Sequence, residues 1–538
     1  MCGIFSCIKS RKDLELLKYF FTKIKHRGPD SSCFIKVNDN VILGFHRLAI
    51  VDTSENGNQP FIHNGNYLIC NGEIFNHKEL EQQHNLNPEM HSRSDCECIL
   101  HMYEHFDIDR IVKSLDAEFV FVIYDEQKEL IYAARDPFGV RPLFIGFSNI
   151  ENTGFTEMYF SSEIKAINFC DYVTPFLPGH YLKIDITKEI TKDILNNYIC
   201  FYSYPNKIIF NERENVLLNI KELLIRAVTK RTMSDRTVGC LLSGGLDSSL
   251  VASILSKLMP SIHFFSIGLE DGIDINASKR VIEFLQIPET HHHIVNFTVE
   301  EGLNMLEEVI EQLETYDITT IRASTPQYLL AKYISTKTPV IVLYSGEGSD
   351  ELFAGYQYSK MAPSAQLLLE DSKSLLHELY MFDNLRTDRT TAKWGLEVRV
   401  PFLDKELVSY VLSVNPEFKM CNTEMEKKLL RDAFKGWLPD DILYRPKAAF
   451  SDAVSSKKVS WYKSLQELIN TKISDQDLLN HKYTINPPKT KEALYYRNIF
   501  DKYYPNRDNL ISRYWMPQWV SKELTDPSAT VLACNVTE

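Results

Sequence analysis

No apolar run in this 538-residue sequence approaches the roughly 18 residues that cross a bilayer; the strongest, FVFVIY and PVIVLY, are strand-sized. The N-terminus lacks a signal-peptide layout, because Lys9, Arg11, Lys12 and Asp13 interrupt it. Both absences predict a cytoplasmic chain with no membrane partner. There is no CxxC pair, and the 11 cysteines are odd in number and scattered, which fits reduced thiols better than a disulfide framework. A basic surplus is missing as well: the formal net charge of -13 disfavours nucleic acid and anionic surfaces, so no nucleic-acid partner is expected. The GxxxxGK[ST] spacing is absent, which removes γ-phosphate-transferring NTPases as a template. Internal repeats and low-complexity tracts are absent too. Zinc has weak support: His291, His292 and His293 lie in THHHIVNF, which alternates like a strand and turns neighbouring imidazoles to opposite faces.

What is present is an ordinary globular composition, 44% hydrophobic and 24% charged, long enough for two to four domains. Leu14, Leu17, Phe21 and Ile24 follow helical spacing, with Gly28 and Pro29 expected to end that helix. Short apolar runs separated by Asn, Gly and Asp turns follow, so residues 1–200 read as an α+β domain with antiparallel sheet. The polar, aromatic stretch 201–213 reads as a linker. Helical spacing resumes with Val216, Ile220, Leu223 and Ala227 on one face. TVGCLL, IHFFSIGL, THHHIVNF and PVIVLY then alternate with helical segments, the arrangement of a parallel α/β sheet whose ligands bind at the carboxyl ends of the strands. A largely helical extension closes a second domain at 214–527, and 528–538 reads as a loose tail.

Two stretches carry chemistry. In MCGIFSC, removal of Met1 would give Cys2 both a thiol and a free α-amine, which can serve as the base for its own side chain. In VGCLLSGGLDSSLVASIL, a strand leads through a glycine turn into a helix. Ser243, Gly244, Gly245, Ser248 and Ser249 can therefore meet an anion at the helix N-terminus. A second strand-end loop, YSGEGSDELFAGY, places Glu347, Asp350 and Glu351 just after a strand. Asp247 and Asp350 could share Mg2+, a hard ion that takes one or two carboxylates plus phosphate oxygens, although Asp350 could equally cap a helix.

SGGLDSS resembles the pyrophosphate loop of N-type ATP pyrophosphatases. MCGIF, HRGPDSS, HRLAIVD, CNGEIFNH and SDCE resemble the class II glutamine amidotransferase domain. Together with LETYDITTIRASTP, EVRVPFLD and KEALYYRNIF, they make the chain similar to the glutamine-dependent asparagine synthetases from residue 1 to about 527. The resemblance implies an N-terminal Ntn-hydrolase αββα sandwich, and a C-terminal parallel sheet like that of the adenine nucleotide α-hydrolases. It implies ATP and Mg2+ as cofactors, L-glutamine and L-aspartate as substrates, and admits a homodimer.

By the same resemblance Cys2 is the nucleophile, and Asn71 with Gly72 forms an oxyanion hole. Glutamine is held along Arg47, Leu48, Ala49, Ile50 and Val51, with Glu73 and Asp95 toward its ammonium. ATP lies against Leu242, Ser243, Gly244, Gly245, Asp247, Ser248, Ser249, Ile267, Ser345 and Gly346. Lys447 neutralises the phosphorus centre, Glu347 serves acyl-adenylate formation and ammonia, and Thr319, Thr320 and Arg322 face aspartate. Two residues depart from the family: Ala117 stands where glycine is common, and Ala448 where an acid often follows the lysine. Rival readings are a relative acting on another carboxylic acid, as β-lactam synthetases do; a phosphoribosyl-pyrophosphate amidotransferase, which has no place for SGGLDSS; and a noncatalytic binding protein.

Overall fold

In the computed structural model, which describes residues 1–86, 90–149, 156–456 and 458–527, the strand Ala117–Asp125 divides its side chains between two cores. Phe119, Phe121 and Ile123 enter one, while Val120, Val122 and Tyr124 enter the other. This is the period of two that a pleated strand imposes, here with apolar residues on both faces. The tail expected at 528–538 lies outside the described residues.

The chain forms two compact units. The first comprises Met1–Ser203 with the segments Met233–Arg236 and Ala392–Glu397. It holds two six-stranded sheets in which the strand pairings of the described residues are antiparallel. One sheet runs in the order Tyr172–Pro175, Phe144–Asn149, Thr156–Ser161, Gly3–Ile8, Val41–Arg47, Ser31–Lys36. The other runs Ile199–Cys200, His180–Asp185, Leu130–Arg135, Ala117–Asp125, Asn66–Ile74, Phe61–His63. Ile4, Ile8, Leu43 and Phe45 meet Ile69, Val120 and Val122 between the sheets. On the far face of the second sheet, Phe119 and Phe121 pack with Ile99, Met102, Ile111 and Val112 of the helices Cys98–His105 and Ile108–Ser114. Phe21 of the helix Leu14–Thr22 lies against Phe5 on the outer face of the first sheet. The result is the expected αββα sandwich.

The first helix is shorter than its spacing suggested. Asp13 caps it by accepting from the amides of Glu15 and Leu16, but the α-helix ends at Thr22, not at Gly28. From Ile24 the chain tightens to i→i−3 bonds, Ile24 to Phe21 and Arg27 to Ile24, and Lys25–Arg27 forms a 3₁₀ turn. Phe21 and Ile24 are both buried.

The second unit comprises Tyr204–Thr232, Thr237–Thr391 and the chain from Val398. Its five-stranded sheet has the order His292–Asn296, His263–Gly268, Thr237–Leu241, Val340–Tyr344, Glu397–Arg399, and the first four strands pair in parallel. The helix Arg213–Lys230 buries Val216, Ile220, Leu223 and Ala227 on one face. The helix Leu246–Leu258 is buried over most of its circumference. Helices Ala365–Glu378, Lys405–Leu412, Trp461–Lys472 and Lys491–Tyr503 form most of the extension. His292 bonds Ser266 while His293 bonds His263, so the strand turns successive imidazoles to different partners. Among the described residues no helix is long and apolar enough to cross a membrane.

Candidate active sites

In the first unit, Cys2 immediately precedes the strand Gly3–Ile8, and its backbone amide donates to Asn71 Oδ1 at 2.9 Å. Its Sγ lies against Leu48, 3.4 Å from the amide and 3.6 Å from the carbonyl oxygen. Arg27, fully buried, donates from Nε to the Cys2 carbonyl at 2.9 Å and from a terminal nitrogen to Glu163 at 2.7 Å. HRGPD thus supplies a clamp for the Cys2 backbone that its sequence did not announce. With Met1 in place, burial pushes the Cys2 thiol up to about 11 and the terminal amine down to about 6.

Asn71 and Gly72 sit on the strand Asn66–Ile74, in register with Val120 and Phe119. Asn71 Nδ2 is buried with no hydrogen-bond partner among the described residues, a donor left for something the chain does not itself contain. Gly72 is required by close approach: a Cβ there would lie 2.5 Å from the Glu118 carbonyl oxygen and 2.7 Å from Phe119 Cα. Glu73 and Asp95 are both buried, and Asp95 accepts from the Ile74 amide at 2.6 Å. Arg47, at the end of its strand, binds the loop that follows: it donates to Ser54 O at 2.7 Å, to Asn58 Oδ1 at 3.0 Å and to Asp52 O. Leu48, Ala49 and Ile50 are buried and Val51 is half-buried. Ala49 is pinned by Asp30 through its amide and by Arg236 through its carbonyl. Ala117 opens its strand in register with Ile74, so its Cβ introduces no turn.

In the second unit a cavity of about 260 Å3 opens at the carboxyl ends of the parallel strands. Leu242, Ser243, Asp247, Ser248, Ile267, Ser345 and Gly346 line it, with Glu347, Asp350, Thr319, Arg322 and Lys447. Gly245, Ala448, Arg431 and Arg445 line a smaller cavity that shares Ser243, Asp247 and Lys447 with the first. Gly245 caps the helix Leu246–Leu258 without any side-chain hydrogen bond, which leaves the first-turn amides for an anion. The loop is held by Ser243 and Ser248, whose hydroxyls lie 2.9 Å apart. Gly244, Ser249 and Thr320 are not among the walls of either cavity. Gly244 turns the chain at φ 74°, where a Cβ would lie 2.5 Å from the Ser278 amide nitrogen, Ser249 is buried in helix packing, and Thr320 bonds Asp317 at the helix N-cap.

Charge is concentrated at one end. Asp350 accepts from Lys447 Nζ at 2.6 Å and is ion-paired with Lys427 Nζ at 2.7 Å, and Lys427 also donates to Asp247 at 2.6 Å. Burial pushes the Asp350 carboxyl up, but the two lysines prevail and hold it well below the usual carboxylate range. Burial works against charge on Lys447 as well; Asp350 and Asp247 overcome it and raise the ammonium above its ordinary value. The two aspartates therefore converge on a common point, as the ligands of a divalent cation must. Glu347 is raised by burial, partly offset by Arg386 at 2.7 Å, which also holds Asp383 at 2.7 Å. Glu351, bonded to the Tyr356 hydroxyl, is pushed up to about 8 by burial and by the charges of Asp383 and Asp350. Arg322 is engaged by Glu492 at 2.6 and 2.7 Å and by Asp526 at 3.1 to 3.3 Å.

Lys427, Arg386 and Asp383 were missed in the sequence. Each is a charged residue in a helical or polar stretch, indistinguishable there from a solvated one.

Residues 1–199 match the glutamine amidotransferase domain family, and residues 219–375 and 370–529 match the asparagine synthase family. The chain is 45% identical over 556 residues to a probable glutamine-hydrolyzing asparagine synthetase of Acanthamoeba polyphaga mimivirus, covering 99% of this chain and 100% of that protein. It is 44% identical over 566 residues to the glutamine-hydrolyzing asparagine synthetase of Gallus gallus, and 42% over 565 residues to that of Homo sapiens. Each of these covers 99% of this chain and 98% of the relative. An N-terminal glutamine amidotransferase domain fused to a parallel-sheet synthetase defines the class of glutamine-dependent amidating ligases. The chain belongs to the asparagine synthase family.

Proposed function

We infer that the chain makes asparagine from aspartate, ATP and glutamine, releasing glutamate, AMP and pyrophosphate. The observation that carries this reading is the meeting of a helix N-terminus free of side-chain capping bonds, Lys447 and the Asp247–Asp350 pair in one cavity. In the first unit, removal of Met1 gives Cys2 an α-amine that takes the thiol proton. The thiolate attacks the glutamine amide, and the oxyanion is met by Asn71 Nδ2 and the Gly72 amide. The amine returns its proton to ammonia, and water releases glutamate from the thioester. Arg47 and the segment to Val51 hold the substrate, with Glu73 and Asp95 toward its ammonium.

In the second unit the aspartate β-carboxylate attacks the α-phosphorus of ATP, and the bond to the β-phosphate oxygen breaks. Pyrophosphate is received by the loop Ser243 to Ser249 at the helix N-terminus. Leu242, Ile267, Ser345 and Gly346 flank the nucleotide, and Lys447 offsets charge growing on the phosphorus centre. Asp247 and Asp350 hold Mg2+, which when bound neutralises phosphate charge. Thr319 and Arg322 turn to aspartate, with Thr320 bracing the turn; the Asp526 bonds to Arg322, longer than those of Glu492, are the ones a substrate carboxylate exchanges with. Ammonia then attacks the acyl carbon, Glu347 accepts its proton, and AMP leaves. We place the reaction in the cytoplasm, where the free thiols of the described residues stay reduced, with a homodimer as the oligomer to test by light scattering.

The decisive assay supplies MgATP and glutamine with a panel of carboxylic acids. Aspartate is expected to drive stoichiometric release of pyrophosphate and AMP with asparagine formed. Pyrophosphate release indifferent to aspartate overturns the reading.

A further inference from the structure

We propose that Lys427 is the resident counter-cation of the Asp247–Asp350 pair and keeps free divalent metal out until nucleotide phosphate draws its ammonium away. This rests on the reading of those two aspartates as the Mg2+ ligands. The Lys427 ammonium lies 2.7 and 2.6 Å from the two carboxylate oxygens of Asp247 and 2.7 Å from Asp350 Oδ1. It stands at the point on which both carboxylates converge. Lys447 serves Asp350 at 2.6 Å but is 4.0 Å from Asp247, so it does not bridge the pair in the same way. Ser349 completes the shell by donating to Asp247 Oδ1 at 2.7 Å.

The lysine is built into this position. Its side chain is 1% exposed, against 26% for Lys447, so water contributes little to holding it. Its backbone adopts φ 57°, a left-handed conformation that a side chain ordinarily avoids, at the residue before the helix Lys428–Ala433. Gly355 makes room for it: a Cβ there would lie 1.9 Å from Lys427 Cε and 2.1 Å from Asp350 Oδ1. A strained backbone and a glycine both serve to deliver one ammonium between two carboxylates.

A bare divalent ion entering this place must evict a buried cation and give it nothing but water in exchange. Magnesium also sheds its own water reluctantly. Nucleotide changes the balance, because its phosphates complete the metal's shell and offer the displaced ammonium new anionic oxygens. The smaller cavity that Lys427 lines, with Ser243, Gly245, Arg431 and Arg445, is where ammonium and phosphate can meet. Metal and nucleotide then bind with positive coupling, each favouring the other by the same factor.

The test uses Mn2+ as the probe, followed by electron paramagnetic resonance on the full-length protein. Without nucleotide, Lys427→Met is expected to bind Mn2+ more tightly than the parent by on the order of tenfold or more, and Lys427→Arg to bind it as weakly as the parent. Mn2+ alone should raise the melting temperature of Lys427→Met and leave that of the parent unmoved. If Lys427→Met does not fold, Lys427→Gln takes its place. On the parent itself, a nonhydrolysable ATP analogue should tighten Mn2+ binding by on the order of tenfold or more. Equal Mn2+ affinity in folded parent and charge-deleted variants, or no coupling to the analogue in the parent, overturns the proposal. Asp247→Asn and Asp350→Asn that leave binding of the Mn2+–analogue complex untouched would instead overturn the assignment of the metal ligands.

Discussion

Asn71 faces Cys2 with its two side-chain atoms in different states: Oδ1 accepts the Cys2 amide at 2.9 Å, and Nδ2 is buried without a partner. One end anchors the Cys2 backbone; on the proposed mechanism the other is the donor to the oxyanion. Asn71→Asp keeps the anchor and deletes the donor. Glutaminase kcat is expected to fall by ~10²–10³, the usual effect of losing one oxyanion-hole donor, with synthesis from added ammonium chloride unchanged. A fall of less than about threefold would remove Asn71 from the oxyanion hole.

Cys2→Ala separates the two reactions more completely. Glutamine-dependent asparagine formation should drop by on the order of 10⁴ or more, and ammonia-dependent formation should persist. Both rates falling together in a folded variant would contradict two independent sites. Intact mass of the parent is a companion measurement, since a retained Met1 would block the amine and leave the thiol at its high, unreactive pKa.

Lys447→Ala should abolish isotope exchange between pyrophosphate and ATP, by on the order of 10²–10³, while glutaminase turnover survives. Exchange at the parental rate would show that Lys447 only pairs with Asp350.

Gly355→Ala inserts a methyl group where Lys427 Cε would be 1.9 Å away. Overpacking of this kind costs about 1–3 kcal/mol, and denaturant unfolding should report it.

Asp371 supplies a pH dependence. Burial pushes its carboxyl up to about 6, with Tyr358 and Arg513 pulling only partly back. The folded state therefore holds this proton more tightly than the unfolded chain, whose carboxyl titrates near ~3.9. The Asp371 contribution is fully present below ~4 and is lost as pH rises through about 6. Asp371→Asn should gain on the order of 1 kcal/mol over the parent at pH 7.5 and none at pH 4, read as a difference in melting temperature. A stabilisation independent of pH would mean that the carboxyl is not the source.

The four parallel strands were legible because each is a short apolar run with turns beside it, and both faces of such a strand are buried. The helix Leu14–Thr22 was legible in position but not in length, because Ile24 fits either an α-helix or the 3₁₀ turn that follows. Lys427 was invisible for a different reason. Its partners lie 180 and 77 residues away, and only chain folding tells a lysine wedged between carboxylates from one in water. Arg322 shows the same limit: its motif marked it, yet nothing local announced Glu492 and Asp526 as its partners.

The strand Ala117–Asp125 has apolar side chains on both faces, so polarity does not police its alignment with Asn66–Ile74. A slip of one residue would exchange one greasy set for another with little loss of burial. Gly72 supplies the missing check, since only glycine tolerates the Glu118 carbonyl and Phe119 backbone at that crossing. Any neighbour shifted into its place would bring a Cβ into that contact. The same two letters, Asn-Gly, thus act as an assembly key: the register that Gly72 enforces is the one that sets Asn71 against the Cys2 amide.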